Sequence, residues 1–418
     1  MSANPDLVIV GGGLVGASLA VALRERCPDL DLLVLERFAP PSEQLSASPS
    51  FDGRATALSY GSRLIYDQLG LWPALADTVA PIREIHVSSQ GQLGATRLDS
   101  SAAGTDALGY VVENRVLGQA LWARMRALAI PHWAPSEVEE LRPQNGRMAL
   151  RVCSTGEEPQ TLHAQLVVLA DGGRSTLASS LGIGLTRHGY RQSALVTTVK
   201  ARHAPTATAF ERFTPRGPIA LLPLSRGRTA LVWTLPDDQL RAHLDCDDTE
   251  FLERLQRQVG PRLGEFERVG ERSHYPLARV QANEQVRSSL VLLGNSAHSL
   301  HPVAGQSFNL ALRDVVALTE TLGLQWDARR PLGALDVLQT YAANRALDQT
   351  RIATLSHVLP QLFADQPLPM RWARAMGLGA LEFLPTAQRG FARWTMGLSP
   401  FCSPPRHFDA ATHGQGAQ

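Results

Sequence analysis

Cysteine is scarce in this chain of 418 residues, and the few that occur lie far apart in the sequence. No two of them form a C-x-x-C pair or the spacing of a zinc site, and they are too few for a disulfide scaffold. We therefore expect reduced thiols in a cytoplasmic protein, and no metal. The four cysteines are Cys27, Cys153, Cys246 and Cys402.

Net charge and long apolar runs are also lacking. The 40 Lys and Arg residues nearly balance the 39 Asp and Glu residues, for a formal net charge of +1, and the basic residues are scattered. We therefore expect no nucleic-acid partner. No apolar run approaches the ~20 residues of a membrane-spanning helix, and no charged segment precedes the first apolar run as in a signal peptide. Any membrane contact is expected to be peripheral, at the inner face.

Apolar residues are plentiful enough for a large folded core. They make up 44% of the chain, and charged residues make up 19%, which is typical of globular proteins. A chain of this length has room for two domains and a helical appendage.

Glycines near the N-terminus form the first motif. The apolar run Leu7–Val10 predicts a strand, and the sequence GGGLVG follows it directly. Gly11, Gly13 and Gly16 stand in G-x-G-x-x-G register. In a dinucleotide-binding unit such glycines permit a tight turn and a close approach of the backbone to pyrophosphate.

The residues that follow complete this unit. Residues 17–26 predict a helix, whose N-terminus near Leu14 would face the pyrophosphate. Residues 31–35 predict a second strand that leads to Glu36, twenty residues after Gly16 and placed to bind ribose hydroxyls. Arg37 follows Glu36. It either lies beside the adenine or a phosphate of the cofactor, or is an ordinary surface residue. The motif alone does not distinguish FAD from NAD.

Two further motifs follow later strands. Residues 166–170 predict a strand, and Asp171 and Gly172 come directly after it. Residues 290–315 read LVLLGNSAHSLHPVAGQSFNLALRDV: a strand, a turn-rich loop and a helix from about Phe308. A loop between a strand and a helix N-terminus presents backbone N–H groups to an anionic or electron-rich ligand.

These three motifs, in this order, resemble those of the FAD-dependent aromatic hydroxylases. Further segments resemble the ubiquinone-biosynthesis hydroxylases within that family, in particular the 2-polyprenyl-6-methoxyphenol hydroxylases: FDGRATALS at 51–59, VVENRVL at 111–117 and FERFTPRGPIALLPL at 210–224. The resemblance extends from about residue 5 to 398. It implies FAD as cofactor and NAD(P)H as co-substrate.

The resemblance also implies roles for individual residues. Arg54 and Arg115 match positions near the FAD pyrophosphate and ribityl chain, and Asn295 stands where the family often has an aspartate that binds the ribityl hydroxyls. The loop at residues 302–309 matches the family's loop beside the flavin ring, whose residues have catalytic and binding roles. They are Pro302, Gly305, Gln306, Ser307 and Asn309, of which the first three would lie at the reactive face.

Ser307 replaces a glycine of the family pattern. Serine is a preferred residue at helix N-caps, so we expect Ser307 to cap the following helix. His298 and His301, three residues apart, lack further metal ligands in the sequence, and we expect His298 to bond to the loop backbone. His301 and Pro302 match the His-Pro pair of the family that this chain resembles. No base that would activate a phenol is evident, and Tyr190 and Tyr275 are candidates only through their place near domain junctions.

Three other stretches each predict a single element. Residues 57–68 predict a helix, residues 162–168 predict a strand, and residues 247–259 predict an amphipathic helix.

The expected architecture is a mixed α/β fold with a Rossmann-type FAD-binding domain, an inserted antiparallel sheet and C-terminal helices. Four strands near 195–199, 209–213, 219–224 and 229–235 form that sheet, the wall of a substrate pocket. We expect the FAD-binding domain at 1–80, 109–183 and 274–332, the substrate domain at 81–108 and 184–273, a helical segment at 333–400 and a disordered tail at 401–418.

The implied function is hydroxylation of a prenylated phenol in ubiquinone biosynthesis, with O₂ activated as a flavin C4a-hydroperoxide. Two alternatives share the motifs: another flavin oxidoreductase, such as a prenyl reductase or epoxidase, and a non-catalytic FAD-bound scaffold of a biosynthetic complex. Apolar residues between 352 and 398 either pack onto the cofactor domain or form a patch that contacts a membrane or partner proteins.

Overall fold

The computed structural model describes residues 4–40, 54–90, 95–154, 156–202, 206–300, 305–363, 390 and 392–398. Three expectations fall outside these residues: the roles of His301 and Pro302, the tail at 401–418, and most of the apolar segment after residue 363. No helix within the described ranges is both long and apolar enough to cross a membrane.

The strands are numbered in chain order. They are β1 Leu7–Val10, β2 Leu32–Leu35, β3 Ala55–Ser59, β4 Ala80–Ile82, β5 Glu84–Ser89, β6 Ala95–Asp99, β7 Gly109–Glu113, β8 His132–Trp133, β9 Ser136–Gln144, β10 Arg147–Ser154, β11 Gln160–Ala164, β12 Leu166–Leu169, β13 Leu185–Ala201, β14 Thr208–Thr214, β15 Gly217–Pro223, β16 Thr229–Pro236, β17 Phe266–Val269, β18 Ser273–Ala282, β19 Val286–Arg287, β20 Leu290–Leu292 and β21 His298–Ser299.

The helices are numbered in the same way. They are α1 Leu14–Arg26, α2 Tyr60–Gln68, α3 Trp72–Leu75, α4 Ser100–Ala103, α5 Asn114–Ala127, α6 Leu177–Ser180, α7 Asp237–Leu244, α8 Asp248–Val259, α9 Gln306–Asp327 and α10 Leu335–Phe363. Three short 3₁₀ turns lie at Ser225–Gly227, Pro261–Leu263 and Gly294–Ser296.

A six-stranded sheet carries the three predicted motifs. Its order is β19-β20-β12-β1-β2-β8, and all neighbours are parallel except β19 and β20. The central strands are short runs of Leu, Val and Ile buried on both faces, as parallel strands between two layers must be. Because β1, β12 and β20 are adjacent and parallel, the loops after them meet at one edge of the sheet.

Different layers cover the two faces of this sheet. On one face α1, α5 and α9 contribute a large apolar cluster with residues such as Leu19, Leu121 and Val315. On the other face lies the antiparallel sheet β11-β10-β9, whose Leu150 and Leu162 pack against Val167 and Leu169. This arrangement agrees with the predicted mixed α/β fold class.

A nine-stranded sheet forms the second body of structure. Its order is β21-β18-β13-β16-β15-β14-β5-β6, with β17 also paired to β13. Helices α7 and α8 cover one face through Leu240, Phe251 and Leu255. The four predicted strands are all present as β13 to β16, and their pairing is antiparallel as expected.

Two local predictions were wrong. Residues 57–59 were expected in a helix, but they belong to β3, which pairs with β7, and α2 begins only at Tyr60. Ser59 caps that helix, since its hydroxyl accepts a hydrogen bond from the Ser62 N–H. Residues 162–168 were expected as one strand. Gln165 separates two strands there, because the chain passes from the antiparallel sheet into the parallel one.

Candidate functional site

The glycine loop after β1 depends on very close backbone packing. Gly11 has a φ of 106°, in the region that favours glycine, and a Cβ on Gly16 would lie 1.9 Å from the Gly11 carbonyl oxygen. The helix α1 therefore starts directly against the strand end. Gly13 precedes it in extended conformation and gives no side-chain cap, so its first N–H groups are available to a ligand.

Glu36 lies at the end of β2 beside this loop. Its carboxylate accepts hydrogen bonds from the N–H groups of Gly12, at 2.6 Å, and Phe38, at 2.9 Å. Burial raises the pKa of Glu36, against the effect of these two bonds. Each carboxylate oxygen keeps a lone pair that a ribose hydroxyl can use. Trp122 was not identified from the sequence; its indole donates to the Gly12 carbonyl at 3.0 Å and supports the loop.

Asp171 joins the second motif to the third. One oxygen accepts from the Gly173 N–H at 3.0 Å and from the Ser296 hydroxyl at 2.7 Å, and the other accepts from the Ser175 N–H at 3.1 Å. The loops after β12 and β20 are thereby held together. Asn295, next to Ser296, is exposed on the same surface.

The start of α9 contradicts the expected capping role of Ser307. The helix begins at Gln306, and its N-cap is Gly305, with a φ of 58° and no side-chain cap. Ser307 lies inside the first turn, because the left-handed conformation at Gly305 turns the chain into the helix two residues earlier than expected. No cap bond from Ser307 is needed at this position.

Asn309 fixes this helix start to the rest of the fold. Its amide donates to the carbonyls of Ala57 and Gly305, both at 2.9 Å. Its oxygen accepts from the Ser59 N–H and the Ser62 hydroxyl. Since all four hydrogen-bonding positions have protein partners, Asn309 holds the loop rather than reaching outward.

A buried ionic network joins the same helix, α9, to α10. The prediction that His298 bonds to the loop backbone was wrong: its Nε2 is 2.9 Å from the Asp314 carboxylate. Asp314 also accepts from Arg345 at 2.6 Å. Asp348 accepts from Arg345 and Arg313. Burial acts to raise the pKa of Asp314, but Arg345 and His298 outweigh it and hold that pKa below its usual value. The network ties α9 to α10, and the His298 ring to both. Within the described residues, no three His, Cys, Asp or Glu side chains cluster as metal ligands would.

A cavity of about 950 Å³ opens where these loops meet the nine-stranded sheet. Many of the residues predicted to bind FAD line it. They are Gly13, Leu14, Arg54, Gly172, Asn295, Gly305, Gln306, Ser307 and Asn309.

The other predicted residues lie elsewhere. Gly11, Gly16, Glu36 and Asp171 do not line the cavity but shape or brace the loops that do. The remaining two are exposed side chains away from it: Arg37, 3.4 Å from Glu137, and Arg115 on α5. The cavity wall instead carries Asn114, next to Arg115, and Arg174, two residues after Gly172.

The two tyrosine candidates separate. Tyr275 lines the cavity, and the Arg54 guanidinium lies 4.6 Å from the centre of its ring. Tyr190 is not among the lining residues, and its hydroxyl is 3.1 Å from His357 Nδ1 on α10. Of the two, only Tyr275 can meet a molecule in this cavity.

The far wall of the cavity is mostly apolar. It is formed by side chains of the nine-stranded sheet and nearby loops, which suits a greasy ligand. They include Ile82, Ile85, Val87, Leu98, Leu108, Val196, Leu222 and Val232.

The donor set at the opposite end fits FAD. Two helix N-termini, those of α1 and α9, reach the cavity with no side-chain cap and no acidic residue in the first turn. Such ends favour the anionic pyrophosphate and an electron-rich ring.

Comparison with known proteins agrees with this geometry. Residues 5–355 match the model of a family described as the FAD binding domain. The chain belongs to this family. It is 38% identical to the ubiquinone hydroxylase UbiL of Rhodospirillum rubrum over 96% of this chain and 92% of that protein. It is 29% identical to the 3-demethoxyubiquinol 3-hydroxylase of Escherichia coli over 94% of this chain and 98% of that protein.

Solved structures share the fold at lower identity. The p-nitrophenol 4-monooxygenase PnpA of Pseudomonas putida superposes with a TM-score of 0.76 at 16% identity, covering 96% of this chain and 99% of that one. PqsL of Pseudomonas aeruginosa superposes with a TM-score of 0.74 at 21% identity, covering 90% and 100%. The predicted fold class is confirmed, as are FAD as cofactor and the class of enzyme, an FAD-dependent monooxygenase.

Proposed function

We propose that this protein hydroxylates the aromatic ring of a prenylated phenol, an intermediate of ubiquinone biosynthesis, using NAD(P)H and O₂. The observation that carries the proposal is the single cavity that joins the FAD-binding loops to an apolar sheet surface. A phenol ring can lie between the FAD-binding loops and the sheet while the prenyl chain lies along Ile82, Leu98 and Leu108.

Different residues would hold different parts of FAD. The glycine loop and the N-terminus of α1 would hold the FAD pyrophosphate, Glu36 the ribose, and Asn295 with Arg54 the ribityl side. The N–H groups at Gln306 and Ser307 would face the flavin ring, where the α9 dipole favours negative charge. Bound FAD supplies the oxygen-activating chemistry. The apolar wall excludes water from the reaction.

The test is isotope incorporation by the purified holoprotein. With a short-chain prenylphenol, NAD(P)H and ¹⁸O₂, we expect a product that carries one ¹⁸O atom on the ring. NAD(P)H oxidation should accelerate when the phenol is added. A prenyl reductase would give a reduced chain without ¹⁸O, and an epoxidase would place ¹⁸O on the chain. A scaffold would give no product, and any of these three results would refute the proposal.

We also propose peripheral contact with the inner face of a membrane, or with a biosynthetic complex, as the source of the substrate. A prenylated phenol is nearly insoluble in water and must pass to this cavity from a lipid or a protein. The aromatic residues after position 363 are suited to either surface.

A further inference from the structure

One carboxyl group stands in the apolar wall of the cavity. Glu211 lies in β14, where it pairs with Ala220 of β15 on one side and Val87 of β5 on the other. The row continues to Val232 and Thr96. Residues paired across a sheet share a face, and all five line the cavity. Glu211 is the one ionisable side chain in this row.

This placement is costly for a carboxylate. Glu211 is surrounded by apolar neighbours, and none of the described side chains lies within hydrogen-bond or ion-pair distance of its carboxyl group. Burial raises the pKa of Glu211 to about 8. A leucine at this position would be buried at a lower free-energy cost. An unpaired carboxyl group in a ligand cavity indicates a group that contacts a polar atom of the ligand.

The charged groups around Glu211 do not offer it a partner. On the neighbouring strands Glu84, His86 and Arg97 alternate to the opposite face of the sheet. On β14 itself Arg212 also points away and donates to the Gln258 carbonyl.

The other element packed against this strand carries no free partner among its described side chains either. Helix α10, which contacts β14 and β15, carries Asp348 and His357, held by Arg313 and Tyr190; it also carries Arg351, which has a partner of its own. The titratable and charged side chains that share the cavity wall with Glu211 are Arg54, Arg174 and Tyr275.

We propose that Glu211 accepts the proton of the substrate's phenol hydroxyl. This rests on the proposed function. The O–H bond breaks, its proton binds a Glu211 carboxylate oxygen, and its electron pair remains on the phenol oxygen, from which it enriches the ring carbons. The ring is then a better nucleophile toward the activated oxygen. Once the ring carbon has formed its C–O bond, that carbon loses its hydrogen as a proton to solvent, and the ring is aromatic again as a phenolate. Glu211 then returns its proton to the phenolate oxygen.

Binding without turnover tests the contact directly. The oxidised holoenzyme is titrated between pH 6 and 9 with a water-soluble prenylphenol, and the flavin absorbance reports binding. A phenol that binds only the ionised carboxylate should bind about tenfold more tightly at pH 9 than at pH 7. In Glu211→Gln the affinity should not vary with pH. The O-methyl ether of the same phenol has no proton to donate, and its affinity should not rise with pH in any variant.

Turnover tests the proton transfer. Glu211→Gln should lower kcat by about 10²–10⁴-fold, the usual contribution of a general base, with a smaller change in KM. In the wild type kcat/KM should rise with pH through about 8, and this rise should be lost in Glu211→Gln. Glu211→Asp should recover part of the rate. Glu253→Gln, an exposed carboxylate on α8, is the matched control and should behave as wild type.

The two proposals fail in different ways. If ¹⁸O enters the ring but phenol affinity and kcat/KM change alike with pH in wild type and Glu211→Gln, the Glu211 assignment is wrong and the proposed function stands. If phenol affinity depends on Glu211 and pH but no oxygen enters the ring, the proposed function fails while the contact stands. If no phenol binds at any pH, both are wrong. Equal melting temperatures for Glu211→Gln and wild type would exclude misfolding as the cause.

Discussion

At the scale of single residues, the glycines of the first loop differ in what an added side chain would contact. A methyl group at Gly16 would overlap the Gly11 carbonyl, whereas Gly13 has its Cα at the cavity wall. We expect Gly16→Ala to destabilise even the FAD-free protein, by roughly 1–3 kcal/mol, because the backbone itself must move. Thermal unfolding of the apoprotein measures this.

Gly13→Val should show the opposite pattern. Its side chain would occupy the space of the pyrophosphate, so flavin occupancy should fall while the apoprotein keeps its melting temperature. Gly189→Ala is a suitable control, since a Cβ there meets nothing within 4 Å. Full flavin occupancy in Gly13→Val would show that the pyrophosphate lies elsewhere.

At the scale of the element, the start of α9 allows a further prediction. If Ser307 were the N-cap, alanine would destabilise the protein more than glycine would. Since Ser307 lies within the first turn, helix propensity decides instead. Glycine is about 1 kcal/mol less favourable than alanine in a helix. We therefore expect Ser307→Gly to have the lower melting temperature.

The comparison uses chemical or thermal unfolding of the two variants beside the wild type. A lower stability for Ser307→Ala than for Ser307→Gly would restore the capping role. Gln306 donates to the Thr395 carbonyl from the same turn, so it should be left unchanged in both variants.

Across the whole molecule, the sequence predicted what local patterns determine. Strand β1 and the end of α8 have the expected residues, and the loops after β1, β12 and β20 do meet at one sheet edge. Apolar runs, glycine spacing and the parallel connection of the strands are sufficient for this.

The remaining features depend on distant pairing. No local signal shows that Glu211 faces a cavity, because the register with Ala220 and Val87 decides it. The bond between Asp171 and Ser296 spans 125 residues of sequence. Residues 57–59 looked helical because Ala and Leu suit helices, but pairing with β7 made them a strand.

The C-terminal aromatics allow a test of how the whole molecule receives its substrate. Trp394 is half-buried and packs against Leu300, Leu310 and Ile352. Trp394→Ala should therefore cost roughly 2 kcal/mol of stability and lower turnover of short-chain and long-chain phenols alike. If the chain docks on a membrane, Trp372→Ala should instead reduce vesicle binding and long-chain turnover only.

Vesicle flotation and turnover of both substrates are measured for the two variants. Should Trp372→Ala lose stability and short-chain turnover to the same degree as Trp394→Ala, both side chains serve packing and membrane docking is refuted.

The order of strands in the parallel sheet constrains how the protein is made. On the ribosome, β1 emerges first and pairs with β2, but its other neighbour, β12, begins 159 residues later at Leu166. Until then one edge of β1 has no native partner and depends on other protection from aggregation. If Asn295 and Gln306 bind the flavin as proposed, translation must pass the start of α9 before FAD can stabilise the nascent chain.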